Sequence, residues 1–339
     1  MHIERALAPQ QRNSSIAVSH LFNTITMLKE DRMNFGVHAP PEGKNFEEMK
    51  RLCQTAESQG YDLFTITDHF MNMANPSGRE NHPLECWTTL AGLGAVTSKI
   101  AIGPLVSCVN YRHPTVLAKM ATTVDVISGG RLIFGIGAGW HEMEFKGFMG
   151  EFPSPRGRLD GLEDAVQICR SMFQNEVTDF VGKRYSAKDT LNSPRPIQRP
   201  MPIMIGGSGE RRTLKISARH ADISHLFANS PADLERKLQV LRRHCTSVRR
   251  DFSEIKIAVG MRALLDQSED AIKRQAKRIT QMGRMTPNEA ERMVRANTGA
   301  ANILRTVKEY ERLGVHLITL SLGLEDMKTF NDLIVSKVR

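Results

Sequence analysis

The chain lacks the marks of several functional classes. Its five cysteines, Cys53, Cys86, Cys108, Cys169 and Cys245, form no CxxC pair and are odd in number. That favours the reduced thiols of a cytoplasmic protein over a disulfide frame. No cluster of His, Cys and acidic residues stands at metal-ligand spacing. No apolar run is long enough to span a bilayer. The first 32 residues lack the apolar core of a signal peptide, so they are expected to be a dispensable arm ahead of a single domain at 33–339. Although the formal net charge is +9, no long basic block is present, because the lysines and arginines are scattered through helical segments. This suits a phosphorylated or carboxylated small molecule and disfavours nucleic acid and membrane partners.

What is present is alternation. Of 339 residues, 40% are hydrophobic, enough for one large barrel core. The most regular stretch, Lys99–Trp140, reads as strand, helix, strand. Residues 99–109 carry no charge after Lys99, the pattern of a parallel strand buried on both faces. His113-Pro114 opens a helix with Val116, Leu117, Met120, Val124 and Ile127 at helical spacing, and Ser128-Gly129-Gly130 ends it. The strand Arg131–Ile136 then runs into Gly137-Ala138-Gly139, where a ligand could approach the backbone without meeting a β-carbon.

The same rhythm holds on either side. MNFGVH, LFTITDHF, PIMIGG, DISHLF, IKIAVGM and VHLITLSL are strands, with helices between them. Residues 141–157 read as a polar loop. Prolines make 180–200 an irregular insertion of the kind that contributes to a lid. In 268–313, Pro287 and Gly299 divide a long helical region into several helices. Eight strands and intervening helices predict an α/β fold, a (β/α)₈ barrel with insertion segments, whose chemistry sits where strands end.

Those ends carry the candidate residues: Asp68-His69, Ser107-Cys108-Val109-Asn110, Gly137-Ala138-Gly139-Trp140, Gly206-Gly207-Ser208-Gly209 and Ser224-His225. Asp68-His69 can equally be a helix cap and a surface histidine, but its place at a strand end favours function. The second glycine cluster can be a tight turn. Its free N–H groups at a helix start, with Arg211 and Arg212 in the first turn, fit an anion better, since arginine there opposes the helix dipole. GIGAG lacks the third glycine and the downstream acid of a dinucleotide fingerprint, which excludes a Rossmann unit. Glu142 and Glu144 read as loop acids, and the seventeen methionines as core filler.

TITDHF, VSCVNYRHPTVLAKMATTVDVISGGRLIFGIGAGWHEMEF and PIMIGGSGERRTLKISARHAD, in this order and spacing, resemble the bacterial luciferase-like flavin oxidoreductases, specifically the branch using the deazaflavin coenzyme F420. The resemblance covers about residues 33–325. It implies a barrel, usually a homodimer, that transfers hydride between the deazaflavin and a small organic substrate. An FMN-dependent monooxygenase and a cofactor-binding relative without turnover are the alternatives. It further implies a non-prolyl cis peptide at about Cys108-Val109 under the ring. Asp68, Ser107, Cys108, Val109, Gly137, Ala138, Gly139 and Trp140 would then lie around the ring and Gly206, Gly207, Ser208 and Gly209 on the phosphate. His69, Asp68 and Glu142 would be catalytic. Where related alcohol dehydrogenases resemble one another in a glutamate after the strand-four glycines, this chain has Trp140, with Glu142 the nearest acid.

Overall fold

The computed structural model describes residues 28–73, 75–281 and 285–339. Strand β1 (Asn34–His38) is followed by α1 (Phe46–Ser58), which Asn45 and Glu48 start with a reciprocal capping box. Next come β2 (Leu63–Ile66), α2 (Cys86–Ala95), β3 (Ala101–Pro104) and β4 (Ser107–Cys108). Helix α3 (Pro114–Ile127) has proline in its first turn, and β5 (Phe134–Gly137) follows it. Then α4 (Glu142–Met149), α5 (Pro155–Gln174), β6 (Val177–Val181), β7 (Ser186–Leu191), β8 (Ile203–Gly206) and α6 (Thr213–His220) lead to β9 (Ile223–Leu226) and α7 (Pro231–Val248). The chain finishes with β10 (Lys256–Met261), α8 (Glu269–Gln281), α9 (Pro287–Ala296), α10 (Ala300–Arg312), β11 (Val315–Leu320) and α11 (Leu324–Leu333).

The nine barrel strands lie in the order β3-β2-β1-β11-β10-β9-β8-β5-β4, with every pairing parallel. Strands β3 and β4 are the two halves of one barrel strand, which gives the eight of a (β/α)₈ barrel. The ring closes where this strand meets the next: β4 pairs with β5 at Ser107–Ile136 and Cys108–Gly137, and β3 adds one bridge, Ile102 to Leu132, flanked by Ile102 N–H to Arg131 and Ile133 N–H to Ile102, both 2.9 Å. Arg131 stiffens this seam. The residue is 5% exposed, and its guanidinium donates to the carbonyls of Gly94, Thr97, Ile100 and Ser128.

One interior layer is Leu63, Ala101, Ile133, Met204, Ile223, Ala258 and Leu317, drawn from six strands and the residue just before β5, and Leu28 packs onto it. Residues 28–32, expected to belong to a dispensable arm, are therefore tied to the barrel: Leu28 is 3% exposed, Lys29 N–H meets Asn34, and Arg32 pairs with Asp62. The rest of that arm, 1–27, lies outside the described residues. A larger apolar layer between strands and helices makes the main core.

Three segments differ from expectation. The run 99–109 breaks at Leu105-Val106, which holds the non-prolyl cis peptide three residues before its expected place. Residues 142–149 form α4 because His141 caps the N–H of Glu144, the two acids favour the first turn, Lys146 pairs with Glu142, and Gly150 ends the helix at φ +80°. Residues 177–191 form an antiparallel hairpin, β6 with β7. Pro194, Pro196 and Pro200 follow that hairpin, so they bar a helix without barring the strands.

Candidate active site

A cavity of about 530 Å³ lies over the C-terminal ends of the strands. One wall is apolar and built from backbone economy. Leu105 and Val106 bulge inward between β3 and β4, and a Cβ at Gly137 or Gly206 would stand 2.7 or 2.8 Å from the Val106 methyls. A Cβ at Gly139 would stand 2.4 Å from Cys108 Sγ. The glycines that the sequence suggested for ligand approach thus first make room for Val106 and Cys108, which then face the cavity with Gly137 and Gly139.

The floor is polar. His38 Nδ1 lies 3.0 Å from Thr65 Oγ1 and His225 Nε2 lies 2.9 Å from Thr319 Oγ1, each across strands. Burial, with smaller effects from the Arg262 and His69 charges, lowers His38 to about 4; burial, then His38, lowers His225 to about 3. Both rings are neutral near pH 7. Burial pushes up the carboxyl of Glu42, which also lines the cavity. Arg262 and Arg278 line the mouth.

His69 stands between wall and rim. Its Nδ1 is 2.8 Å from Glu144 Oε2, and its ring meets Trp140 edge-on at 5.9 Å. Glu144 comes from α4, its side chain wholly buried. Besides His69 it accepts from Tyr111 O–H and the N–H groups of Phe70 and Met71. Burial alone would raise its carboxyl; the hydrogen bonds from His69, Tyr111 and Phe70 outweigh it and hold it below the usual carboxylate range.

Asp68 is held on both oxygens. Oδ2 accepts from Ser107 Oγ at 2.5 Å and Arg112 Nη1 at 2.7 Å, and Oδ1 from Arg112 Nη2 at 3.1 Å. Arg112 also pairs with Glu85, and Trp87 donates to Ser107 Oγ. The pair ties the end of β2 to the loop after β4, so Asp68 positions its neighbour His69. Glu142 does not join the site: it is exposed and paired with Lys146, because α4 turns its position outward.

Among the other candidates, Cys108, Gly137, Gly139 and Trp140 line the cavity with Asp68 and His69. Ser107 lies behind Asp68, and Val109 is buried in the core with its N–H on Gly137. Ala138 offers its carbonyl to Asn110. Gly206, Gly207, Ser208 and Gly209 form the turn into α6 beside Phe227, which lines the cavity; Ser208 Oγ clamps both the N–H and the carbonyl of Phe227. Of the two arginines expected to serve an anion, Arg212 pairs with Asp160 while Arg211 is exposed. The insertion at 180–200 contributes nothing to the cavity lining.

Sequence reasoning missed Glu144, Tyr111 and His38. For Glu144 a signal existed: read as a helix after a histidine cap, HEMEFKGFMG places Glu144 beside Phe145 and one turn from Phe148, on a face too apolar for a solvated acid.

A profile of luciferase-like monooxygenases matches residues 33–321. Pyrimidine monooxygenase RutA of Cronobacter turicensis is 33% identical over 201 residues, 58% of this chain and 52% of that protein. The chain thus spans about half the length of the curated relatives it matches. Among solved structures, an F420-dependent secondary alcohol dehydrogenase bound to an F420-acetone adduct superposes with TM-score 0.77 at 18% identity, covering 91% of this chain and 99% of that one. EDTA monooxygenase from Chelativorans sp. BNC1 gives 0.75 at 14% identity, over 91% and 93%. At such identities the likeness is one of fold.

Proposed function

Because the chain belongs to the luciferase-like monooxygenase family, we propose that it is an FMN-dependent monooxygenase acting on a small organic molecule. The observation that carries this is the 33% identity to a named monooxygenase. Monooxygenation asks for a cofactor that reacts with oxygen; flavin does, whereas deazaflavin, with carbon in place of N5, passes hydride and reacts little with it. When bound, the flavin supplies the activation of dioxygen.

The residues fit such a group. Leu105, Val106 and Cys108 offer an apolar support that a Cβ at Gly137, Gly139 or Gly206 would displace. Of Gly206, Gly207, Ser208 and Gly209, at the start of α6, Gly207 gives its N–H to the His225 carbonyl, so the phosphate would be held by the N–H groups of Ser208 and Gly209 where the two other glycines let it approach, with Arg211 adding charge. His69, held by Glu144, faces the space left for substrate, and Trp140 covers its edge.

One observation favours the deazaflavin reading: a net charge of +9 suits a cofactor whose tail carries extra carboxylates. Fluorescence titration with both cofactors, followed by oxygen uptake of the reduced complexes, separates the two. Tighter FMN binding with oxygen consumption is expected. Tighter deazaflavin binding without oxygen uptake overturns it.

We also propose a cytoplasmic homodimer. All five cysteines are buried free thiols, and α3 leaves Val116, Val126 and Ile127 exposed on its outer face beside α2. Sedimentation at micromolar concentration should show a dimer that Val116→Asp with Ile127→Asp dissolves; a wild-type monomer refutes it.

A further inference from the structure

The proton on His69 can be placed from its surroundings. Glu144 is enclosed by donors. One oxygen accepts from the N–H groups of Phe70 and Met71; the other accepts from Tyr111 O–H and faces His69 Nδ1 at 2.8 Å. An ionised carboxylate has nothing to donate, so the hydrogen between it and the imidazole belongs to Nδ1. Among the described residues the ring's other nitrogen has no hydrogen-bond partner, and the side chain, 16% exposed, lines the cavity.

We propose that Glu144 is the positioning residue that fixes neutral His69 as its Nδ1–H tautomer, so that bare Nε2 meets the ligand as a base and the site takes substrates bearing an N–H or O–H at the reacting centre. The inference deepens the monooxygenase reading and rests on it for the word substrate. In the step assigned to His69, the substrate's N–H or O–H bond breaks, its proton joins Nε2, and the electron pair stays on the substrate. The substrate becomes an electron-rich anion, better suited to receive oxygen. The imidazolium so formed lies against Glu144, which stabilises it at no cost in reorganisation. A saturated hydrocarbon has no such proton to give.

Four other groups bear on the ring. Glu42 and His38 interact with it electrostatically, His141 lies 6.5 Å away centroid to centroid, and Trp140 is stacked edge-on. None of them reaches Nδ1.

Glutamine at position 144 makes a sharp test. Its single carbonyl oxygen is claimed by the Phe70 and Met71 amides, which can only donate, and this turns its NH₂ toward His69 and Tyr111. The NH₂ must donate to Nδ1, forcing the hydrogen onto Nε2. The measurement is long-range proton–nitrogen correlation on ¹⁵N-labelled protein without cofactor, at a pH where the ring is neutral, with the His69 signals identified by their loss in His69→Ala. Wild type should show protonated, pyrrole-type Nδ1 and bare, pyridine-type Nε2. Glu144→Gln should exchange the two, and Tyr111→Phe, which keeps the carboxylate, should leave the wild-type pattern. Wild-type His69 with its hydrogen on Nε2 overturns the proposal even if Glu144→Gln and Tyr111→Phe fail to fold, and so does a folded Glu144→Gln that keeps the wild-type pattern. Neither result touches cofactor choice, which the titration and oxygen uptake judge separately.

Discussion

Gly207 has φ +134°, a conformation that side-chain-bearing residues rarely adopt, and a Cβ there would stand 2.9 Å from Thr213 Cγ2. Valine at 207 should tilt the turn and turn its N–H groups away from a bound phosphate. Each charge-assisted hydrogen bond lost would weaken cofactor binding by about 1.5–3 kcal/mol. Titration of Gly207→Val with FMN, beside its melt without cofactor, should show affinity falling more than stability; unchanged affinity in a folded variant places the phosphate elsewhere. At this scale the sequence was half legible. His69 could be found because a strand end is a position on the barrel's mouth. Glu144 could not be told from Glu142 while 141–157 was read as loop, since only a helix turns one acid in and the other out.

Arg131, between α3 and β5, joins the end of one helix to the strands on both sides. Its guanidinium donates to carbonyls near the C-terminus of α2, where a cation also suits the helix dipole. Arg131→Met should leave several buried carbonyls unpaired and cost at least about 3 kcal/mol, read as a lower urea midpoint; a midpoint shift near zero would show that water replaces the guanidinium. The elements themselves were readable where apolar period and caps agreed, as for α3 and α7 with proline in the first turn. They were unreadable where the decisive event was a change of partner. Nothing in the uncharged run 100–109 says that its first half pairs with β2 and its second with β5, nor does the proline content of 180–200 reveal the alternation of the hairpin at 177–191.

Across the whole molecule, the barrel was legible because eight buried strands alternating with helices admit few other closures, whereas the polar floor inside it was not, since its pairs join residues distant in sequence. That floor makes the protein sensitive to acid. His38 and His225 titrate near 4 and 3 when folded, below the ordinary value of about 6.5. Above that value neither folded nor unfolded chain binds these protons. Below it only the unfolded chain does, so stability falls by up to about 1.4 kcal/mol per pH unit for each histidine, until the folded values are reached. Thermal melts should drop between about pH 6.5 and pH 4, and His38→Gln should soften the decline; a flat profile would mean that water reaches the floor. The seam between β3 and β5 has a different consequence. A ring whose third strand meets the fourth through one bridge with two hydrogen bonds and, past Leu105-Val106, through the short β4–β5 pairing behaves as a band with a clasp, and breathing concentrates at the clasp. The amide hydrogens of Ile102 and Ile133 should be the first of the barrel interior to trade with deuterium. Because Leu105 and Val106 rise directly from that place, a flat guest resting on them would press the clasp shut from within, and occupancy of the cavity would register as slowed exchange at two amides it never touches.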